Sequence, residues 1–346
     1  HGSQSKGASL KDEQEASFTC RHNDDDSSFF TEDSKHSGTL IRRGNRFPLQ
    51  RVKFTNFASI YKFDDTCLKA IRKQHGEHPE NEITVSCFLS SSKYNRRFVE
   101  VVSHFENSKY CVLTMPLYPQ TLRDWFESSA NTNFQPRLGA CVAMSHCLLG
   151  LNELDYAHRD VKLDNFVKDA DQNIRLIDFG RALPFGESQN AKKYPADHFS
   201  KHRPKQCFTK RCQTDLSTDV YGLVYSCLHM LLGNKFSIFL ADAKFTNISR
   251  KVQALKQLVK GSCLEELMKL YVYDNALSNA KVQDVLDALP ERLSQLKAPI
   301  YSLVLASSRE TVFKSISPNS DDKYAVSIPK PVNNGADVLI AVKKPK

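Results

Sequence analysis

The chain has 346 residues, a net charge of +9, 40% apolar and 25% charged side chains. That length holds one large domain or two smaller lobes around a cleft, and the composition excludes wholesale disorder. No uncharged apolar run reaches the roughly 18 residues that a membrane-spanning helix needs. The start, His1-Gly2-Ser3, reads as an engineered or a processed terminus, so that any targeting signal would have been cut away.

The charge is uneven. Between Lys192 and Arg211 stand seven Lys or Arg against one acid, Asp197. Such a stretch is either a solvated basic loop or a surface for acidic protein segments, phosphate or anionic headgroups. No nucleic-acid-binding module is recognisable, so nucleic acid is not an expected partner. The ten cysteines include no CxxC pair, which argues against zinc. Cys111, Cys141, Cys147 and Cys227 sit in apolar runs and read as buried thiols. Cys20, Cys67, Cys87, Cys207, Cys212 and Cys263 have more polar neighbours and are candidates for disulfides in a secreted protein, with Cys207 and Cys212 the first pair to test. The sequon Asn247-Ile248-Ser249 is compatible with secretion.

In chain order, residues 1–46 form a polar extension, expected to be disordered or at best helical up to about residue 40. From Phe47 to Phe63 the pattern is that of a strand; Asp64-Asp65 is a tight turn and Thr66–Ile71 the returning strand. A helix is expected from Pro79 to about Ser90, with proline where its missing N–H costs nothing. Strands follow at Phe98–Phe105 and Tyr110–Met115. Beyond them the pattern is helical: a helix through Leu138–Asn152, a long apolar one from Asp219 to Leu232 capped by Ser217 or Thr218 and ended by Gly233, then Ser249–Val259, Leu264–Tyr271 and Lys281–Leu289. The last apolar run, Val338–Val342, reads as an added strand. The expected organisation is α+β and bilobal, with a β-rich lobe at 47–117, a helical lobe at 118–300 and a C-terminal extension at 301–346.

Chemistry concentrates in His158-Arg159-Asp160-Val161-Lys162-Leu163-Asp164-Asn165, followed by Ile177-Asp178-Phe179-Gly180. A three-residue HRD match recurs by chance; this longer pattern at this spacing does not. Transfer of a γ-phosphoryl group is largely positioning and charge neutralisation. Asp160 is placed to accept a hydroxyl proton, Lys162 to neutralise the moving phosphate, and Asn165 and Asp178 to offer oxygen ligands to Mg²⁺. Arg159 serves either a phosphorylated segment or pairing within its own lobe. His158 reads as a packing residue, and Trp125 as a core or surface aromatic.

From about Phe47 to Leu296 the chain resembles a eukaryotic protein kinase domain. The resemblance makes Lys69, in Leu68-Lys69-Ala70-Ile71-Arg72, the lysine that binds ATP. It makes Glu82 that lysine's helical partner, with Glu80 as the alternative. Leu113 and Met115 would border the adenine, and Asp219, in Asp219-Val220-Tyr221-Gly222, would brace the catalytic loop. Lys162 is what Ser/Thr kinases carry at its place. ATP and Mg²⁺ are the implied cofactors and a protein the implied substrate.

Two departures stand out. The three loop glycines align with Lys53, Thr55 and Ala58, so the backbone cradle for phosphate is missing, and Phe54 and Phe57 are candidates to fill the pocket instead. Arg203-Pro204-Lys205-Gln206 ends the activation segment without its usual acid, and Lys281 stands near the place of that acid's arginine partner. Kinase motifs without a glycine loop, on a cysteine-rich chain, resemble the with-no-Gly-loop (WNG) kinases of coccidian parasites. That resemblance implies secretion into the parasitophorous vacuole or to the cyst wall, peripheral contact with anionic membrane, and either an active Ser/Thr kinase or a pseudokinase that scaffolds protein partners with no cofactor.

Overall fold

The protein is described by a computed structural model covering residues 29–32, 37–55, 57–73, 79–128, 134–185, 216–233, 236, 245–261, 264–271, 281–289, 327–330 and 338–341. The chain divides into two compact units at Leu117/Tyr118. The class is α+β, as the sequence pattern predicts.

The first unit is a seven-stranded antiparallel sheet in simple order except at one edge, β1-β2-β3-β4-β5-β7-β6, with one α-helix among the described residues. The strands are β1 (Phe29–Glu32), β2 (Ser37–Arg42), β3 (Asn45–Phe54), β4 (Ala58–Phe63), β5 (Thr66–Arg72), β6 (Ser103–Glu106) and β7 (Tyr110–Pro116). Helix α1 runs Pro79–Ser91, within a residue of its predicted end.

Three expectations are corrected here. The stretch 47–63 is two strands, β3 and β4, joined at residues 55–57. The strand expected over Phe98–Phe105 begins only at Ser103. The polar extension is not unstructured throughout, because Phe29–Glu32 and Ser37–Arg42 pair into the sheet. Buried Phe30, Leu40 and Leu49 explain why: they close a core with Tyr61, Leu68, Ala70 and Val112, and a few fully buried apolar groups outweigh polar neighbours that face water. Gly38 is required where β1 pairs with β2, since a Cβ there would stand 2.9 Å from the Phe30 ring and 3.0 Å from the Thr31 carbonyl oxygen.

Alternation along the strands sorts the sheet into two faces. One carries Tyr61, Leu68, Ala70 and Val112; the other carries Ile60, Cys67, Lys69, Ile71, Leu113 and Met115. Between Arg51 and Lys53 the β3–β4 register slips by one residue, a β-bulge with Val52 as the extra residue. Beyond it Lys53 pairs with Ile60 and Phe54 with Ser59. The β4–β5 turn at Asp64-Asp65 is as tight as predicted, with Asp64 at φ 49°.

The second unit contains α2 (Leu122–Ser128), α3 (Phe134–Asn152), α4 (Leu216–Leu232), α5 (Phe245–Val259), α6 (Glu265–Leu270) and α7 (Val282–Ala288). Short strands carry the site: β8 (Gln120–Thr121), β9 (Tyr156–Ala157), β10 (Phe166–Lys168), β11 (Ile174–Leu176) and β12 (Leu183–Pro184). Helix α4 starts before Ser217 and Thr218, so neither is its cap. Its predicted end holds: Gly233, at φ 83°, donates its N–H to the His229 carbonyl at 2.9 Å. Every described side chain of α4 is buried, and Tyr221 stacks on Tyr271 at 4.9 Å. A last hairpin, β13 (Ser327–Lys330) with β14 (Val338–Ala341), includes the predicted C-terminal strand.

Cys67 and Cys87, read from sequence as disulfide candidates, are buried free thiols, as are Cys111, Cys141, Cys147 and Cys227. Cys67 is buried in β5, which is covered on both faces, and Cys87 is buried in α1; polar sequence neighbours in a strand or helix point elsewhere. Cys20, Cys207, Cys212 and Cys263, with the basic stretch 192–211 and Arg203–Gln206, lie outside the described residues.

Candidate active site

The second unit assembles the phosphoryl-transfer motif around one short hairpin. Strands β10 and β11 pair Phe166 with Leu176, and the Ile177 N–H donates to the Asn165 carbonyl at 2.9 Å. Asn165 and Asp178, thirteen residues apart by number (178 − 165 = 13), therefore emerge beside each other at one end of the ladder. Asp169 secures the turn, accepting from Asn173 N–H at 2.8 Å and Arg175 Nε at 2.9 Å. Burial pushes its carboxyl up, but these donors outweigh it and hold the carboxyl below its ordinary range.

Asp160 is buried and receives Lys162 Nζ on Oδ2 at 2.6 Å. Asn165 Nδ2 donates to the Asp160 carbonyl at 2.8 Å and to its Oδ2 at 3.2 Å. With its amide nitrogen so committed, Asn165 is left with Oδ1 to offer a cation. Asn165 Oδ1 and the Asp178 carboxylate form an all-oxygen donor set that leaves positions for phosphate oxygens and water, which fits Mg²⁺. Among the described residues no group of three or more His, Cys, Asp or Glu stands ready to hold a metal alone.

The catalytic loop is braced from α4. Buried Asp219 accepts the His158 N–H at 2.6 Å on Oδ2 and the Arg159 N–H at 2.7 Å on Oδ1. Burial pushes this carboxyl up, with His158 and Arg159 opposing. The brace holds Arg159 at φ 66°, and Asp178 stands at φ 70°; for non-glycine residues such conformations cost about 1–3 kcal/mol each and persist only where surroundings impose them. His158 packs as predicted. Its Nε2 bonds the Ile177 carbonyl at 3.0 Å, its Nδ1 accepts the Asp160 N–H at 3.2 Å, and its ring lies 5.2 Å from that of buried Phe179. The Nε2–H tautomer satisfies both bonds. Arg123 Nε reaches both oxygens of Asp164 at 2.8 Å, and Lys168 Nζ sits 4.5 Å above the Trp125 ring.

The first unit holds the other predicted pair. Lys69 Nζ meets Glu82 Oε1 at 2.5 Å, so of the two glutamates left open by the sequence, Glu82 is the partner. Leu113 and Met115 are buried in β7 on the Lys69 face, Leu113 directly opposite Lys69 in the register. Cys67 shares that face; burial pushes its thiol up to about 11, with Lys69 opposing.

The residues standing where the glycine loop would be form a closed tip. Thr55 Oγ1 accepts the N–H of Ala58 at 3.0 Å and of Phe57 at 3.3 Å, while the Thr55 N–H donates to the Ala58 carbonyl at 2.8 Å. These three amides serve the hairpin itself. Phe54 does not fill the Lys69 side, contrary to expectation: paired with Ser59, it lies on the opposite face, 57% exposed, with the guanidinium carbons of Arg51 and Arg72 at 4.9 and 4.8 Å from its ring centre. Arg72 also donates to the Thr55 carbonyl at 3.0 Å. Beneath these groups sits Glu32, which accepts from Ser59, Tyr61, Arg72, Arg51 and Tyr110. Burial pushes its carboxyl up, yet the hydrogen bonds from Ser59, Tyr61, Arg72 and Tyr110 together hold it down at about 2.

Nothing in the sequence singles out Glu32, and neither the anchoring role of Arg72 nor the capping role of Thr55 is evident from it. Of these, only Thr55 lies within hydrogen-bond reach of its partners along the chain, the ST-turn pattern, but the expected single strand over 47–63 hid it. Lys281, named as a substitute for an arginine, is exposed, and its N–H donates to Asp284 at 2.6 Å at the start of α7.

Residues 60–293 match the family model described as protein kinase domain. A serine/threonine-protein kinase-like protein of Arabidopsis thaliana is 28% identical over 145 residues, 41% of this chain and 40% of the relative. Cysteine-rich receptor-like protein kinase 34 of the same plant is 24% identical over 216 residues, 60% of this chain and 31% of its own length. Serine/threonine-protein kinase KIN4 of Saccharomyces cerevisiae is 30% identical over 163 residues, 45% of this chain and 18% of the relative. The chain thus spans less than half the length of these curated relatives.

Proposed function

This chain belongs to the protein kinase domain family, and on that premise we propose that it transfers the γ-phosphoryl group of ATP to Ser or Thr of protein substrates. The observation that carries the reading is the cluster of Asp160, Lys162 and Asn165, hydrogen-bonded to one another and set beside Asp178. In the proposal Asp160 accepts the hydroxyl proton, Lys162 neutralises charge on the phosphoryl group, Asn165 and Asp178 hold Mg²⁺, and Lys69, oriented by Glu82, binds the nucleotide. The full chain, given labelled ATP and a mixture of acidic and basic Ser/Thr proteins, transfers label, and Asp160→Asn abolishes it. Equal, background-level transfer by both would sink the proposal.

A second reading is favoured by the tip of the β3–β4 hairpin, where the amides of Thr55, Phe57 and Ala58 are already bonded within the hairpin. In that reading the protein is a pseudokinase that acts by binding partners. Stabilisation by Mg·ATP that disappears in Asp178→Asn counts against it, because a ligand binding only the native state raises stability by RT ln(1 + [L]/Kd).

The resemblance to the WNG group, supported by the absent loop glycines and the ten cysteines, extends the proposal to a secreted protein of the parasitophorous vacuole or cyst wall in peripheral contact with anionic membrane. Mapping thiols among Cys20, Cys207, Cys212 and Cys263 in protein prepared without reductant tests the secreted part, which fails if all four are reduced.

A further inference from the structure

The tip of the β3–β4 hairpin has committed the amides of Thr55, Phe57 and Ala58, yet the same hairpin carries a cation to the face that bears Lys69. Lys53 pairs with Ile60, Ile60 with Lys69, and Lys69 with Leu113, so all four stand in one cross-strand row. Directly opposed residues of an antiparallel ladder point to the same side. Lys53 is exposed and lies two strand spacings from Lys69, ~10 Å at the usual strand separation. Its flexible stem can cover much of that span while its ammonium stays solvated.

The aromatic neighbour of Lys53 at the strand end is turned away from this face. The bulge at Val52 fixes the parity of β3 beyond it, and Phe54 is held on the far face by Arg51 and Arg72. Arg72 in turn is anchored by Glu32 and holds the Thr55 carbonyl. The strand that carries Lys53 is therefore fixed on both sides of it, whereas the lysine side chain is not.

We propose that Lys53 is a nucleotide-phosphate contact, so that this hairpin offers a point charge where glycine loops offer a nest of amides. The ligand class is a polyphosphate, and the inference rests on the nucleotide-binding reading above. A lysine contact binds phosphate by charge and without fixed geometry, so arginine serves in its place while alanine or glutamate does not.

The test is a titration of the full chain with Mg·ATP, with inorganic tripolyphosphate and with adenosine, for wild type, Lys53→Ala, Lys53→Glu and Lys53→Arg. Mg·ATP and tripolyphosphate affinity should fall roughly tenfold in Lys53→Ala, the usual scale for a lost hydrogen bond to a charged group, and further in Lys53→Glu. Lys53→Arg should retain both, and adenosine affinity should be equal in all four proteins. Unchanged Mg·ATP affinity in Lys53→Glu overturns the assignment while leaving nucleotide binding intact. A parallel fall in adenosine affinity also overturns it, by showing that the hairpin rather than the charge was changed. Wild type that binds neither Mg·ATP nor adenosine overturns this inference together with the reading beneath it.

Discussion

Arg72 donates to both oxygens of Glu32, at 2.9 and 3.1 Å, although three strands separate β1 from β5 in the order of the sheet. The sheet must curl to bring them together, and Asn107 Nδ2, 3.0 Å from the Phe30 carbonyl, marks the same approach. Arg72 then reaches Thr55 and Phe54. One carboxylate near the N-terminus of the described chain thus sets the position of the hairpin that stands in for the glycine loop.

Glu32 should make stability depend on acid. Its carboxyl is held at about 2, against the usual 4.5. The folded state therefore binds this proton less readily than the unfolded chain, and the contribution is fully present above about pH 5 and lost as pH falls toward 2. Glu32→Gln should lower stability at pH 7 by about 1–3 kcal/mol, toward the lower figure because the carboxylate keeps some contact with solvent. Denaturant unfolding from pH 6 to pH 2 should show a shallower acid slope in the variant; parallel curves would refute the assignment.

Removing Thr55 Oγ1 should open the hairpin tip. Thr55→Val keeps the shape and deletes the acceptor of the Phe57 and Ala58 amides. Hydrogen exchange at those two amides should accelerate, with at most about 1.5 kcal/mol lost from overall stability. Unchanged protection would mean that other groups hold the tip.

Asp219→Asn leaves one acceptor oxygen where two backbone donors need one each. A buried N–H of His158 or Arg159 would then go unsatisfied, at a cost of about 1–3 kcal/mol. Phosphotransfer should fall along with stability, since Arg159 would be free to leave its strained conformation. A stable variant with full activity would show that the brace is dispensable.

Lys69 and Glu82 are 12% and 7% exposed, which makes their pair asymmetric to mutation. Lys69→Met alone takes the cation from a buried carboxylate and should cost about 3–5 kcal/mol. Adding Glu82→Leu should recover much of that loss without restoring nucleotide binding. Thermal unfolding of the two singles and the double decides the matter, additivity being the contrary result.

Elements written locally were legible from the sequence. Pro79 announced α1, Asp64-Asp65 the β4–β5 turn, Gly233 the end of α4, and the run from His158 to Asn165 its own hydrogen-bonded cluster. Glu32 was not, because nothing near it explains it: its partners lie between 19 and 78 residues away along the chain. Strands β1 and β2 were hidden by polar composition, although Arg43-Gly44, at φ 49° and 77°, is the kind of two-residue turn that joins paired strands. The placement of Phe54 was misread for a related reason. Alternation counted from Arg51 puts it on one face, and the bulge puts it on the other.

That bulge amounts to a two-position setting. In a regular ladder Val52 would oppose Ile60 and Phe54 would oppose Ala58, delivering two apolar side chains to the Lys69 face and turning Lys53 away. With the extra residue extruded, the same stretch shows a cation to the Lys69 face and leaves Val52 and Phe54, 54% and 57% exposed, in the open. A slip of one residue would therefore trade an exposed cation on the Lys69 face for two apolar side chains with no change of sequence, and the contacts of Arg51 and Arg72 with the Phe54 ring favour the register observed.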